Sequence, residues 1–343
     1  MSSTEFIYVS RPGGPASLAL RGGPVPVPGP GEVCVAVEAA GVAFADIMVR
    51  EGRYPGVRTP ITPGYDLVGR VEAVGRGVDR PALGRRVAAL TVTGAYARHV
   101  IIPAAWAVEA PEDLDPGVAV ALVLNYVTAW QMLERNTGVG TDDAVLVHGA
   151  AGGVGTALLE ICRLRNVRVF GTASPGKHDL VAALGGIPID YAKEDFVARV
   201  RSETGGLGVD AAFDHLGGAH LKRSFAALRA TGVLVAYGGL SAFKGGRLNL
   251  INGVRMLITQ PQFKPLDLLS ANKAVVGFDI AGRRRVRPDW FAADLKEIFV
   301  LAQVGALQPI IASRLPLSRA REAHEMLGGS NVRGKIILDM NAG

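Results

Sequence analysis

The stretch Val145-Leu-Val-His-Gly-Ala-Ala-Gly-Gly-Val-Gly155 constrains this chain more than any other. A β-branched run over 144–148 predicts a strand, glycines follow at once, and an apolar helical stretch occupies 156–164. In that setting glycines let the backbone approach a pyrophosphate at a helix N-terminus. Gly152 and Gly155 hold the second and third places of the dinucleotide fingerprint, and Ala150 holds the first. A further strand over 167–172 closes a β-α-β unit. The alternation then continues with helices over 179–184, 194–203 and 220–228 and strands over 187–190, 211–214 and 233–237. This pattern predicts an α/β fold with a doubly wound parallel sheet. Residues 274–280 are expected as a sixth strand, 290–304 as a helix and 335–339 as a closing strand.

The chain has 343 residues, a length that suits about two domains. Residues 24–31 read as a breaker-rich connector, and short apolar runs such as 32–37, 67–74 and 86–91 make the first third β-rich. Cys34 and Cys162 lie in apolar periodic segments, which suits buried thiols in a reducing cytoplasm and excludes a disulfide framework. The first ten residues show no secretory pattern. The uncharged stretch 116–133 carries Asn125, Thr128 and Gln131, so a buried helix is expected there and no membrane span. A net charge of +6 is small for this length, and the basic run Gly282-Arg-Arg-Arg-Val-Arg287 lacks an aromatic stacking platform. It reads as a solvated loop, and nucleic acid is not expected as a partner.

The end of the second strand of the β-α-β unit bears on the cofactor. An acidic residue about 20 positions past the glycines holds the ribose of NAD, whereas its absence together with a cation suits a 2′-phosphate. The stretch Gly171-Thr-Ala-Ser-Pro-Gly-Lys177 has no carboxylate and offers Ser174 and Lys177, which favours NADPH.

The segments Pro63-Gly-Tyr-Asp-Leu-Val-Gly-Arg-Val-Glu-Ala-Val-Gly75, Asn125-Tyr-Val-Thr-Ala-Trp130, His148-Gly-Ala-Ala-Gly-Gly-Val-Gly155 and Gly334-Lys-Ile-Ile-Leu338 together resemble the medium-chain dehydrogenase/reductase superfamily, in its zinc-free quinone oxidoreductase branch. Residues 265–278 are similar to the vesicle amine transport protein subgroup. The resemblance implies a GroES-like β-rich catalytic domain over 1–121 and 283–343, with a Rossmann NADPH-binding domain inserted over 122–282, and a homodimer. It assigns Thr128 to the nicotinamide end, Ala151, Gly152, Gly153, Val154 and Gly155 to the pyrophosphate, and Ser174, Lys177 and Tyr191 to the adenosine phosphate. Tyr237 and Leu240 would line the nicotinamide ribose path, with Asn331 near the phosphate.

Zinc-dependent relatives carry Cys where this chain has Ala43 and His where it has Tyr65, so no metal site is expected. Asp46 and Tyr54 are then the candidate catalytic residues, with Phe44 and Tyr65 lining the substrate. Asp46 could instead cap a helix, and Tyr54 could simply fill a loop. The expected function is NADPH-dependent hydride transfer to a quinone, enone or enoyl-type substrate, a small hydrophobic carbonyl compound. The alternative is a non-redox ligand-binding protein or a cyclisation scaffold on the same fold.

Overall fold

The computed structural model describes residues 3–244, 247–329 and 331–342. Contacts divide the chain into two compact units, one built from Met1–Val127 and Ala281–Gly343 and the other from Thr128–Lys244 and Leu248–Ile280.

In the second unit six strands form one parallel sheet in the spatial order Ile187–Asp190, Arg168–Ala173, Ala144–His148, Val209–Asp214, Leu228–Ala236, Ala274–Gly277. Numbered along the chain, that order is 3-2-1-4-5-6, the doubly wound Rossmann arrangement expected from the alternating pattern. The reversal of direction falls between Ala144–His148 and Val209–Asp214. Leu146, Phe170, Ile189, Ala212 and Leu234 are buried on these strands and pack with Phe196, Val200 and Leu221 from the covering helices.

The first unit is built on a seven-stranded sheet. Glu32–Val42 pairs with Asp66–Val74 on one side and with Lys335–Asp339 on the other, so the two ends of the chain share one sheet. The β-rich first third and the closing strand of the sequence reading are both present. Its core gathers Val33, Val35, Leu67, Val87 and Ile102 with Ile336 and Leu338.

The helix over 116–136 is long and apolar enough to cross a membrane, but 89% of its most apolar window is buried inside the protein. It contains a wider turn at Leu122–Tyr126. Two expectations near residue 280 change. The sixth strand stops at Gly277, and the arginine run is a helix, Ile280–Val286, in place of a solvated loop. The physical reason lies in Arg284, which is 6% exposed and stacked on Trp106.

Candidate functional site

Each of the first five parallel strands of the Rossmann unit ends in a residue that serves a ligand better than it serves the core. Gly149 follows the first, Ser174 the second, Tyr191 the third, His215 the fourth and Tyr237 the fifth. The carboxyl edge of such a sheet, at its switch point, is where ligands bind. Ala173 and Asp190 are register partners, which sets Ser174 and Tyr191 side by side just past them.

The glycine turn has steric grounds. Gly149 adopts a left-handed φ of 62°. A Cβ on Gly155 would lie 2.3 Å from the Gly149 carbonyl oxygen, so only glycine lets the helix start this close to the strand. Helix Gly153–Leu164 has Gly152 as its N-cap, with no side chain capping it. Its first N–H groups therefore present partial positive charge to an anion, flanked by Ala151, Gly152 and Val154. Ser174 and Lys177 lie on the short turn after the second strand, and no carboxylate is present between Gly171 and Lys177.

The buried polar atoms of this unit with no hydrogen-bond partner among the described residues include the Thr128 hydroxyl and His215 Nδ1. Such orphans are costly unless a ligand completes them. His215 was not a sequence candidate. Its ring lies 5.8 Å from that of Tyr237 and crowds Gly149, and the Leu240 amide donates to its carbonyl oxygen at 2.9 Å. Burial lowers its pKa to about 4, so the imidazole is neutral at physiological pH. Asking which residue follows each predicted parallel strand would have found it. Burial likewise pushes the Tyr237 hydroxyl above its ordinary range. These features fit a nicotinamide dinucleotide, with orphaned donors at one end and a glycine cradle in the middle. Asn331 belongs to the other unit, where it lines a pocket of about 450 Å³ with Ala312, Met326 and Arg333.

Beneath this edge, His148, Asp214 and His220 offer donor atoms within 4.8 Å of one another. They form a closed network. Asp214 accepts from His220 and from Ser224, and His148 reaches Thr172 with Nδ1 and Ser224 with Nε2. Burial opposes ionisation of Asp214, but the hydrogen bond from His220 and the nearby imidazoles outweigh it and hold the carboxyl below its usual range.

In the other unit the helix Phe44–Arg50 starts at Ala43, which has no side chain to cap it. Asp46 does that work from the third position. Its Oδ2 accepts from the Ala43 amide at 2.8 Å and its Oδ1 from the Gly64 amide at 3.0 Å, and it is fully buried. The carboxyl thus ties the helix to the loop carrying Tyr65. Burial raises its pKa to about 7, with Asp66 adding to the rise, while the Ala43 amide opposes it. Tyr65 is buried, and its hydroxyl lies 2.6 Å from that of half-buried Tyr54, the rings meeting edge to face. Phe44 is half-buried at the start of the helix. Asp66, next to Tyr65, forms a buried ion pair with Lys335 at 3.0 Å.

No zinc set is offered at these positions. Ala43 has no donor, Tyr65 is paired with Tyr54, and Asp66 is held by Lys335. Burial pushes the Cys34 and Cys162 thiols up to about 11 and 12, which keeps them protonated.

A Rossmann unit with an open glycine cradle, joined to a β-rich unit carrying paired tyrosine hydroxyls, defines a dinucleotide-dependent oxidoreductase. Comparison with known proteins agrees. A family model described as alcohol dehydrogenase GroES-like domain matches residues 29–112, and one described as zinc-binding dehydrogenase matches 186–338. The chain is 35% identical over 331 residues to the synaptic vesicle membrane protein VAT-1 homolog of Rattus norvegicus, covering 95% of this chain and 81% of that protein. It is 28% identical to the quinone oxidoreductase of Homo sapiens, covering 95% and 94%. The solved quinone oxidoreductase of Escherichia coli, complexed with NADPH, superposes with a TM-score of 0.87 at 26% identity, covering 98% of this chain and 99% of that one. The chain belongs to the medium-chain dehydrogenase/reductase superfamily, in the quinone oxidoreductase branch that includes the VAT-1 homologues.

Proposed function

We propose that the chain is an NADPH-dependent, zinc-independent reductase of an electron-poor double bond in a quinone, an enone or an enoyl-type compound. The observation that carries this reading is the 2.6 Å hydroxyl pair Tyr54–Tyr65, standing where zinc-dependent relatives place a metal ligand. When bound, NADPH supplies a hydride. The Gly153–Gly155 amides take its pyrophosphate, Ser174, Lys177 and Tyr191 take the adenosine phosphate, and Thr128, His215, Tyr237 and Leu240 serve the nicotinamide side.

In conjugate reduction the hydride enters at the carbon β to a carbonyl, negative charge collects on the carbonyl oxygen, and the α-carbon afterwards takes a proton from water. Tyr54 donates a hydrogen bond to that oxygen, and Tyr65 fixes the orientation of Tyr54. Asp46 contributes by holding the Tyr65 loop through Gly64. The test is to follow NADPH absorbance with quinones, enones and enoyl thioesters in turn, alongside NADPH binding by fluorescence. Turnover of any of these classes supports the reading. Tight binding without turnover of any would favour the ligand-binding or cyclisation alternative.

A homodimer is part of the same proposal. The edge strand Ala274–Gly277 and the helices Leu250–Ile258 and Pro265–Ala271 expose Leu250, Ile251, Leu257, Ile258, Leu266 and Leu269, an apolar group that a second copy would cover. Light scattering of the purified protein and of a Leu257→Glu variant tests this.

A further inference from the structure

Arg284 is a buried cation whose carboxylate is missing. Only 6% of it is exposed, and Nε and Nη1 have no hydrogen-bond partner among the described residues. The Trp106 ring lies 3.8 Å from Cζ, so the guanidinium plane is held by stacking, with its donors left over. The charged or titratable groups that act on it are the Tyr65 and Tyr54 hydroxyls and the Arg285 guanidinium, with no carboxylate among them. Arg287, three residues on, has an ordinary surface role, exposed and bonded to Asp289 at 2.6 Å. The Tyr65 and Tyr54 hydroxyls are close enough to act on the Arg284 charge. Burial still lowers its pKa to about 10, so it remains a cation at neutral pH.

A buried guanidinium without a counter-charge destabilises a fold, because desolvation goes uncompensated. A protein retains one where a ligand completes it. On the reading that Tyr54 meets the acceptor's carbonyl, we propose that Arg284 binds an anionic group carried by the acceptor itself, so that the substrate class is an enone or enoyl compound bearing a carboxylate. Nε and Nη1 leave different edges of the guanidinium, so either one gives a carboxylate oxygen a single charge-assisted hydrogen bond, and the Trp106 stack fixes the plane in which it points.

The experiment uses two matched acceptors, benzylideneacetone carrying a para-carboxylate and the methyl ester of that compound. The acid should be preferred by about 10–100-fold in kcat/KM, since a site built for a charged hydrogen-bonding group rejects an analogue lacking it. In Arg284→Met that ratio should fall to near one, and in Arg284→Lys it should fall only in part. Benzoate alone gives a readout independent of turnover. It should quench tryptophan fluorescence in the wild type but not in Arg284→Met or Trp106→Phe. Arg284→Met should melt at or above the wild-type temperature, because an unpartnered buried charge has been removed.

Equal kcat/KM for acid and ester, or a preference that survives in Arg284→Met, overturns the anion site and leaves the reductase reading standing. Absence of benzoate quenching in the wild type overturns it as well, and so does a melting temperature several degrees lower in Arg284→Met, which would make Arg284 a structural prop. If neither acceptor turns over while benzoate binds through Arg284, the anion site stands and the reductase reading falls.

Discussion

Lys335 Nζ lies 3.0 Å from Asp66 Oδ2, with the lysine 3% and the aspartate 0% exposed, so the pair is dry. It joins the strands Asp66–Val74 and Lys335–Asp339 across Glu32–Val42. Gly41 makes room for it, since a Cβ there would fall 2.3 Å from Asp66 Oδ1. Burial raises the pKa of Asp66, while the lysine opposes the rise. Lys335→Met should therefore destabilise the protein by about 3–5 kcal/mol in urea unfolding, because the carboxyl is stranded. Adding Asp66→Asn should recover part of the loss. An unchanged midpoint for Lys335→Met would show that the pair contributes nothing net.

Asp46 gives stability a pH dependence of definite sign. The folded chain keeps its proton up to about pH 7, whereas the unfolded chain releases it near 3.8. Between those values the folded state binds more protons, so this contribution is greatest in acid, falls as pH rises through the window, and levels off above it. The neighbouring charges are Asp66 and Lys335, with the Tyr96 hydroxyl also close. Comparing unfolding free energies across pH 4 to 8 in wild type and Asp46→Asn should show a shallower decline in the variant. Parallel profiles would place the titration elsewhere.

Cofactor choice should rest on the turn after the second Rossmann strand. With Ser174 and Lys177 and no acid there, NADPH should bind more tightly than NADH, and Lys177→Ala should narrow the ratio about tenfold or more. Fluorescence titration of both dinucleotides measures it. A ratio near one in the wild type would refute the assignment.

Tyr54→Phe should lower kcat by about 10–1,000-fold for an enone while leaving NADPH affinity unchanged, because the hydroxyl acts on charge that develops only in the transition state. A quinone, which demands less carbonyl activation, should suffer less. Similar losses for both acceptors would mean that Tyr54 only shapes the site.

Purified protein should carry no stoichiometric zinc, and chelators should not slow turnover, given Ala43 and the engaged side chains of Tyr65 and Asp66. Elemental analysis finding one zinc per chain would contradict the reading of this site.

The fold was legible where its signals are local. Alternation of β-branched runs with glycine turns located Ala144–His148 and Ile187–Asp190 in the parallel sheet, and Lys335–Asp339 in the other sheet. The site was legible only in part. That Asp46 could cap a helix was open in the sequence, but the Gly64 amide on its other oxygen belongs to a distant loop. The contact of Tyr96 with His324 spans 228 residues, and no pattern in either neighbourhood announces it. Arginine runs usually face water, and what buries Arg284 is Trp106, a residue far away in the sequence.

The sharing of one sheet by both ends of the chain has a consequence for biosynthesis. Residues 128–280 supply nearly all of the Rossmann unit, so every strand of its sheet leaves the ribosome before Lys335–Asp339 does. The other unit's sheet waits for that strand. Until Lys335–Asp339 emerges, Glu32–Val42 lacks a neighbour and Asp66 lacks its cation. A premature stop before Lys335 would therefore keep every strand of the nucleotide sheet and leave the tyrosine-bearing unit without its closing strand.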